Sequence, residues 1–264
     1  SYDLNIMADY GRKNLLKHML KKRTNVEIMA WIPAFQHKAA WGKHPEWRVR
    51  IQDGSDYRPT KESYFLCPAN PEVRAWWLGF IRDLLANYPD LHSVDLAEPV
   101  VSWKAGDACF CSLCREAFAE AEKPADIIRA EPLTELVHKS LEEIHAGGYS
   151  GSVTFVAVSD PAGKLRSHSE VRRITGFDLP ALLSGRPEEQ PDSICPEFIW
   201  QEWKSRYSGE AFVPDWSGSA MRQMAGSIDS PVPVIAHVEA TDFSGVAVSP
   251  EELGLTLKSV LKAG

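Results

Sequence analysis

The chain has 264 residues, 44% hydrophobic and 25% charged, the balance of an ordinary globular protein long enough for one large core. Its formal net charge of −7 argues against the clustered basic surface of a nucleic-acid binder, and no apolar run approaches the roughly 18–20 residues of a membrane-spanning helix. A single domain over residues 1–264, with no nucleic-acid partner and no spanning segment, is the expectation; oligomeric state is left open.

In chain order, DLNIM (3–7) reads as a first strand and GRKNLLKHMLKK (11–22) as a surface helix with a solvated basic side. VEIMAWIP (26–33) and SYFLCP (63–68) read as the second and third strands, NPEVRAWWLGFIRDLLANY (70–88) as a long helix, and SVDLAEP (93–99) as the fourth strand. CREAFAEA (114–121) and PLTELVHKSLEEIHAG (132–147) are helical, SVTFVAV (152–158) is a fifth strand, and FIWQEW (198–203) a sixth. The pattern closes with a helix at 218–226, a seventh strand VPVIAHVEA (232–240) and a helix at 249–263.

Strands alternating with helices predict a parallel sheet with helices outside it, and nearly continuous apolar strands predict burial on both faces. No G-x-G-x-x-G turn follows a strand, which disfavours a dinucleotide-binding open sheet. The expected fold class is therefore α/β, a (β/α)8 TIM barrel. Seven strands are countable rather than eight, so the barrel is expected to be incomplete or trimmed at one or both ends.

Barrels of this kind carry their active groups at the C-terminal ends of the strands. That rule singles out Trp31 and Phe35, Asn70, Asp95 and Glu98, Glu197, Gln201 and Glu202, and His237, Glu239, Thr241 and Asp242. Burying an ionised carboxylate costs several kcal/mol unless it is paired, so Glu98, placed between a core strand and Pro99, is either satisfied by neighbours or kept for chemistry. Alternation puts His237 and Glu239 on one face; it puts Asp95 with Ala97, and Glu98 with Leu96 unless the strand has already broken at the proline. Two carboxylates reaching one cleft from different strands are what glycosidic bond cleavage needs, and Glu98 with Glu239 is the pair expected to be catalytic. Trp31, Trp41, Trp103 and Trp200 are expected to stack on sugar rings, with core packing the competing use of such rings. Asp95, His237 and Asp242 complete the expected substrate contacts; Asp95 fits equally well as an orienting partner of His237, and His237 as a satisfied core histidine.

The sequence Ala97-Glu98-Pro99 resembles the Asn-Glu-Pro that ends strand four in clan A, the large clan of retaining (β/α)8 glycoside hydrolases. The resemblance implies that Glu98 is the acid/base and that a strand-seven glutamate, Glu239, is the nucleophile or base. A longer stretch is similar to the glycoside-hydrolase-like barrel proteins akin to family 10. It runs from AWIPAF (30–35) through HPEW (44–47) and DG (53–54) to CPANPEVRAWWLGFIRDLLANYPDLHSVDLAE (67–98). Ala97 stands where the clan has the asparagine that holds the sugar 2-hydroxyl. The implied function is a glycoside hydrolase cleaving an oligo- or polysaccharide. The alternative is a carbohydrate-binding barrel without turnover, which Ala97 and the short strand count favour.

CFCSLC (109–114) sets Cys109, Cys111 and Cys114 in C-x-C-x-x-C spacing. Thiolates so spaced converge on one Zn2+, but a closed structural site takes four ligands, and Cys67, Cys195, Asp107 or a histidine would have to supply the fourth. A disulfide in an exported protein and reduced thiols are the alternatives. The chemistry requires no cofactor, so any zinc would be structural. The N-terminus has none of a signal peptide's regions, yet it begins at Ser1 rather than at an initiator methionine; a removed leader makes a periplasmic or extracellular location the expectation over a cytoplasmic one.

Overall fold

In the computed structural model, residues 15–22, 27–104, 106–240 and 248–263 are described. Their elements run α1 (Leu15–Lys22), β1 (Met29–Pro33), α2 (Lys38–Lys43), α3 (Pro71–Asn87), β2 (Ser93–Ala97), α4 (Ser112–Glu120) and α5 (Ala125–Ala146). They continue with β3 (Ser150–Val156), α6 (His168–Thr175), α7 (Leu179–Leu183), β4 (Ser193–Glu197), α8 (Trp200–Tyr207), α9 (Pro214–Ser227) and α10 (Pro250–Leu261). The strands pair in sequence order, β1-β2-β3-β4, all parallel. An extended fifth segment joins β4 through parallel bridges from Ile194 to Val234 and from Glu197 to His237. Among the described residues the sheet is an arc and does not close. The first expected strand, 3–7, lies outside the described residues.

Register explains the two faces of the arc. Trp31 lies opposite Asp95, Asp95 opposite Ser152, and Ser152 opposite Ser193, so the inner face carries Ser93, Asp95, Ser152, Thr154, Cys195 and Glu197. The alternate residues Ile32, Val94, Leu96, Val153, Phe155 and Ile194 are buried in the main hydrophobic core. The strands therefore alternate rather than being apolar on both sides: one face packs under helices, and the other lines a polar interior.

Two expected strands are corrected. Residues 63–68 form only antiparallel bridges, Gln36 to Phe65 and Arg48 to Leu66, inside the long connection from β1 to α3, and β1 pairs directly with β2. Residues 198–203 are not a strand, because the sixth strand lies earlier, at β4, and α8 has begun by Trp200. Trp200, Trp203 and Tyr207 have helical spacing, with the Trp203 and Tyr207 rings stacked at 5.8 Å. Pro196 hid the real strand from the sequence reading; it has no N–H to give, and its carbonyl accepts from His237 N at 3.0 Å.

The motifs that carried the longer resemblance turn out to build the scaffold. Asn70 caps α3, accepting from Glu72 N and Val73 N, and Pro71 opens the helix. Trp47 of HPEW donates its Nε1–H to Glu72 of NPEVR at 2.8 Å. From α3, Trp77 reaches into the core at 1% exposure, donates to Ser140 Oγ on α5 at 2.9 Å, and packs edge-on to Phe35 with ring centroids 5.0 Å apart. Trp77→Ala removes that indole and the hydrogen bond that Ser140 Oγ accepts from it, leaving the hydroxyl its bond to Leu136 O; it is expected to cost about 3–5 kcal/mol, measured by denaturant unfolding, and a loss below about 1 kcal/mol would contradict this packing account.

Candidate active site

Glu98 is the first residue past β2, and its backbone answers why a carboxylate sits there. Its N–H still donates to Thr154 O of β3 at 2.7 Å, but its φ is +48°, in the left-handed region that non-glycine residues seldom occupy. Continued alternation would have sent the side chain outward with Leu96; the turn in the backbone releases it from that rule. The carboxyl is half-buried and has Glu197 and Glu202 for charged neighbours. Burial first, then the Glu197 and Glu202 charges, push it up to about 7.

Glu197 ends β4 and is buried; its Oε1 lies 3.2 Å from His237 Nδ1. The hydrogen bond to Glu197 raises His237 above the ordinary histidine value against the opposing effect of burial, and the Asp95 and Glu239 charges act in the same direction as Glu197. Asp95 is fully buried on the inner face, accepts from Ser152 Oγ at 2.6 Å, and is raised by desolvation. Glu202, in the first turn of α8, is also raised by burial, with Arg206 pulling it down and Glu197 and Glu239 pushing it up. Glu239 is buried just past the fifth extended segment. A carboxyl that holds its proton to about 7, further carboxyl groups and the His237 imidazole thus share one end of the arc, where they can supply and accept protons.

The remaining expected residues fall as follows. Trp31 is on the inner face opposite Asp95 and 48% exposed, so a ring face is open to solvent. Trp103 is half-buried on the loop after Glu98, its backbone N–H donating to Tyr57 Oη at 2.7 Å. Trp200 is a correction: it is 3% exposed and donates Nε1–H to Thr256 Oγ1 at 3.2 Å, so helix packing consumes the ring that a sugar would have needed. Asp242 lies outside the described residues. Glu197 was visible at a strand end, but Pro196 displaced the strand and obscured its place on the inner face.

The four cysteines Cys67, Cys109, Cys111 and Cys114 have sulfurs that all lie within 4.8 Å of one another. Cys67 Sγ is 3.6 Å from both Cys114 Sγ and Cys111 Sγ, far beyond a covalent S–S length of about 2.05 Å, and all five cysteines are free. Cys67, from the connection after β1, is the fourth member that the C-x-C-x-x-C spacing could not identify; Cys195 sits elsewhere, on the inner face of β4. Hydrogen bonds with the other three sulfurs, together with burial, raise the Cys67 thiol well above its ordinary value. Cys114 is raised as well, by hydrogen bonds with Cys109 and Cys111, whereas Cys109 is lowered and hydrogen bonds with the other three sulfurs lower Cys111, so the cluster favours thiolate character at some of its members.

Compared by sequence, neither a protein-family model nor a curated protein matches the chain. By structure it is similar to glycoside hydrolases. The PgaB (BpsB) glycoside hydrolase domain of Bordetella bronchiseptica superposes at a TM-score of 0.66 and 12% identity, over 94% of this chain and 70% of that one. A beta-galactosidase from the psychrophilic Marinomonas ef1 gives 0.67 at 10% identity, over 95% of this chain and 44% of that one. A beta-galactosidase from Bacillus circulans sp. alkalophilus gives 0.60 at 12%, over 95% and 41%. This chain thus spans less than half the length of either galactosidase. The fold class is α/β, a parallel sheet of the (β/α)8 barrel type that stays open in the described residues. No helix among the described residues is long and apolar enough to cross a membrane.

Proposed function

We propose that the chain is a glycoside hydrolase that cleaves a glycosidic bond in an oligo- or polysaccharide. The observation that carries the proposal is Glu98, a carboxyl past the end of an inner strand, turned by a left-handed backbone, with burial and two acidic neighbours holding its proton to about 7. That is the state a general acid needs to protonate a departing glycosidic oxygen. Glu239, three strands along the arc, is assigned the role of nucleophile or base. Trp31 and Trp103 are assigned to the sugar ring faces, and Asp95 and His237 to the floor of the site. The glycosidase neighbours support a carbohydrate substrate, and galactosides belong in the first panel because two of those neighbours are beta-galactosidases.

The test is sugar release from a panel of 4-nitrophenyl glycosides and natural oligosaccharides, by wild type and by Glu98→Gln. Because the acid form of Glu98 is the active one, kcat/KM is expected to fall as pH rises through about 7. A profile that stays flat well above neutrality would take the proton donor's role away from Glu98.

We further propose that Cys67, Cys109, Cys111 and Cys114 hold a structural Zn2+. Their sulfurs span the right space, since zinc–sulfur bonds of about 2.3 Å in a tetrahedron put sulfurs about 3.8 Å apart. The ion would supply folding energy and tie the loop that follows Glu98, with Trp103 on it, to the connection after β1. Arg129, whose Nη1 donates to Ala108 O at 3.1 Å, is the neighbouring cation that offsets the thiolate charge.

A further inference from the structure

The connection from β1 to α3 carries a charge opposite to that of the whole chain. Between Lys38 and Glu62 stand six basic and four acidic side chains, in a molecule whose net charge is −7. The four carboxylates are already engaged. Glu46 lies 3.0 Å from His44 Nδ1, Asp53 accepts from Ser55 N at 2.8 Å, Asp56 is shared by Arg48 and Arg50, and Glu62 accepts from Tyr64 Oη at 3.4 Å. Lys38, Lys43, Arg58 and Lys61 are exposed and form no ion pair among the described residues. Two of these cations are held on aromatic rings. The Arg58 guanidinium sits 5.1 Å from the Trp41 ring centre and 5.0 Å from that of Tyr64, and the two rings meet edge to face at 5.6 Å. Lys38 Nζ lies 5.7 Å from the Tyr64 centre. Arg48, already paired with Asp56, lies 3.8 Å over Trp41, so cations occupy an indole that was expected to stack on a sugar.

Backbone bonds fix this platform: His37 N–H donates to Tyr64 O at 3.2 Å, Val49 N–H to Phe65 O at 3.1 Å, and Tyr57 N–H to Val49 O at 2.9 Å. It also joins the candidate active site. The connection leaves β1 at the end of the sheet where Glu98 follows β2, and the hydroxyl of Tyr57, the residue before Arg58, accepts from Trp103 N–H on the loop after Glu98 at 2.7 Å. A guanidinium whose faces rest on rings is ordered in advance and keeps its N–H edge for an acceptor; one N–H of Arg58 goes to Lys61 O, and no carboxylate of the chain takes the rest. The planar fork matches a carboxylate, and the Lys38 ammonium adds a second charge beside the same Tyr64 ring. We propose that Arg58 and Lys38, mounted on Trp41 and Tyr64, bind a carboxylate carried by the saccharide, so that the substrate is an acidic oligo- or polysaccharide.

The word substrate rests on the glycosidase reading, so binding is measured apart from cleavage. Isothermal titration calorimetry on the full chain, wild type and Glu98→Gln, uses oligomers of galacturonate, glucuronate and mannuronate, each beside its methyl ester, which keeps the sugar and removes the charge. At least one acid is expected to bind about tenfold or more tighter than its ester, and to weaken as salt is raised. Arg58→Gln and Lys38→Gln should each weaken that acid about three- to tenfold and leave the ester unchanged. Lys43→Gln, which removes a charge that lies off the rings, should bind like wild type. Equal affinity for acid and ester overturns the proposal, as does failure to bind any of the acids. A Lys43→Gln loss as large as that of Arg58→Gln overturns it in favour of diffuse attraction. Tighter binding of a sulfated oligosaccharide or of single-stranded DNA than of every carboxylated oligomer overturns the carboxylate assignment. Thermal unfolding checks each variant, and the comparison of acid with ester on the wild type decides the matter even where a variant fails to fold. If the acid binds through Arg58 and Lys38 and no sugar is released, this site stands and the glycosidase reading falls; release from neutral sugars with no preference for acids does the reverse.

Discussion

Glu98→Gln is expected to fold normally and to lose roughly 10²–10⁴-fold in sugar release, the amount that a positioned proton donor contributes. Glutamine matches the shape of glutamate and removes the buried, charge-crowded carboxyl, so stability should be unchanged or slightly higher. What it cannot do is give a proton to the departing oxygen. The loss should therefore depend on the leaving group: substrates that depart as 4-nitrophenolate need little protonation and should suffer least, while oligosaccharides should suffer most. Equal losses on both would point to damaged binding, and full activity on oligosaccharides would end Glu98's part in the mechanism. Glu239→Gln, by contrast, should lose activity on both kinds of substrate, because a nucleophile or base is needed whatever departs.

The second large effect concerns the cysteines. Purified protein is expected to contain about one zinc per chain, because the closed four-sulfur site takes a single ion, and Cys67→Ser should lose it. Metal removal by a strong chelator is expected to lower Tm by about 10 °C. A chain of this size shifts by about 2–4 °C per kcal/mol, and a contribution of about 4 kcal/mol is well below what zinc supplies to small zinc-folded domains. Cys195→Ser, on a sulfur outside the cluster, should leave both zinc content and Tm unchanged. Metal-free protein that melts at the same temperature would assign the four sulfurs to reduced thiols. Activity should follow the metal only as far as the loop carrying Trp103 depends on it, so the unfolding measurement is the decisive one.

How far the sequence could be read depended on the range of the interactions involved. The strands at β1, β2 and β3 and the helices at α3, α5, α9 and α10 were legible because periodicity, caps and proline positions act within a few residues; Asn70 followed by Pro71 is the plainest case. The same local signals misled where two elements abut. Phe198 to Trp203 has the composition of a strand, but its aromatic spacing belongs to α8, and Pro196 masked a strand whose pairing needs only the proline carbonyl. SYFLCP failed for the converse reason: its residues suit a strand, but the place expected for it between β1 and β2 does not exist, since β1 pairs directly with β2.

By itself the sequence determined the alternation of strand and helix, the Glu98 and Glu239 candidates near strand ends, and three of the four clustered cysteines, all of which are set by short-range spacing. The tertiary structure alone decided the rest. Parallel register placed the polar residues of β2, β3 and β4 on one inner face, and the fold brought Cys67 to the other three sulfurs. A single left-handed residue turned Glu98 away from the face that alternation assigns it. The joint between β4 and the segment at His237 set Glu197 beside an imidazole and within electrostatic reach of Glu98. These are contacts between residues tens of positions apart, and local spacing carries no record of them because the chain must close around the sheet before they exist.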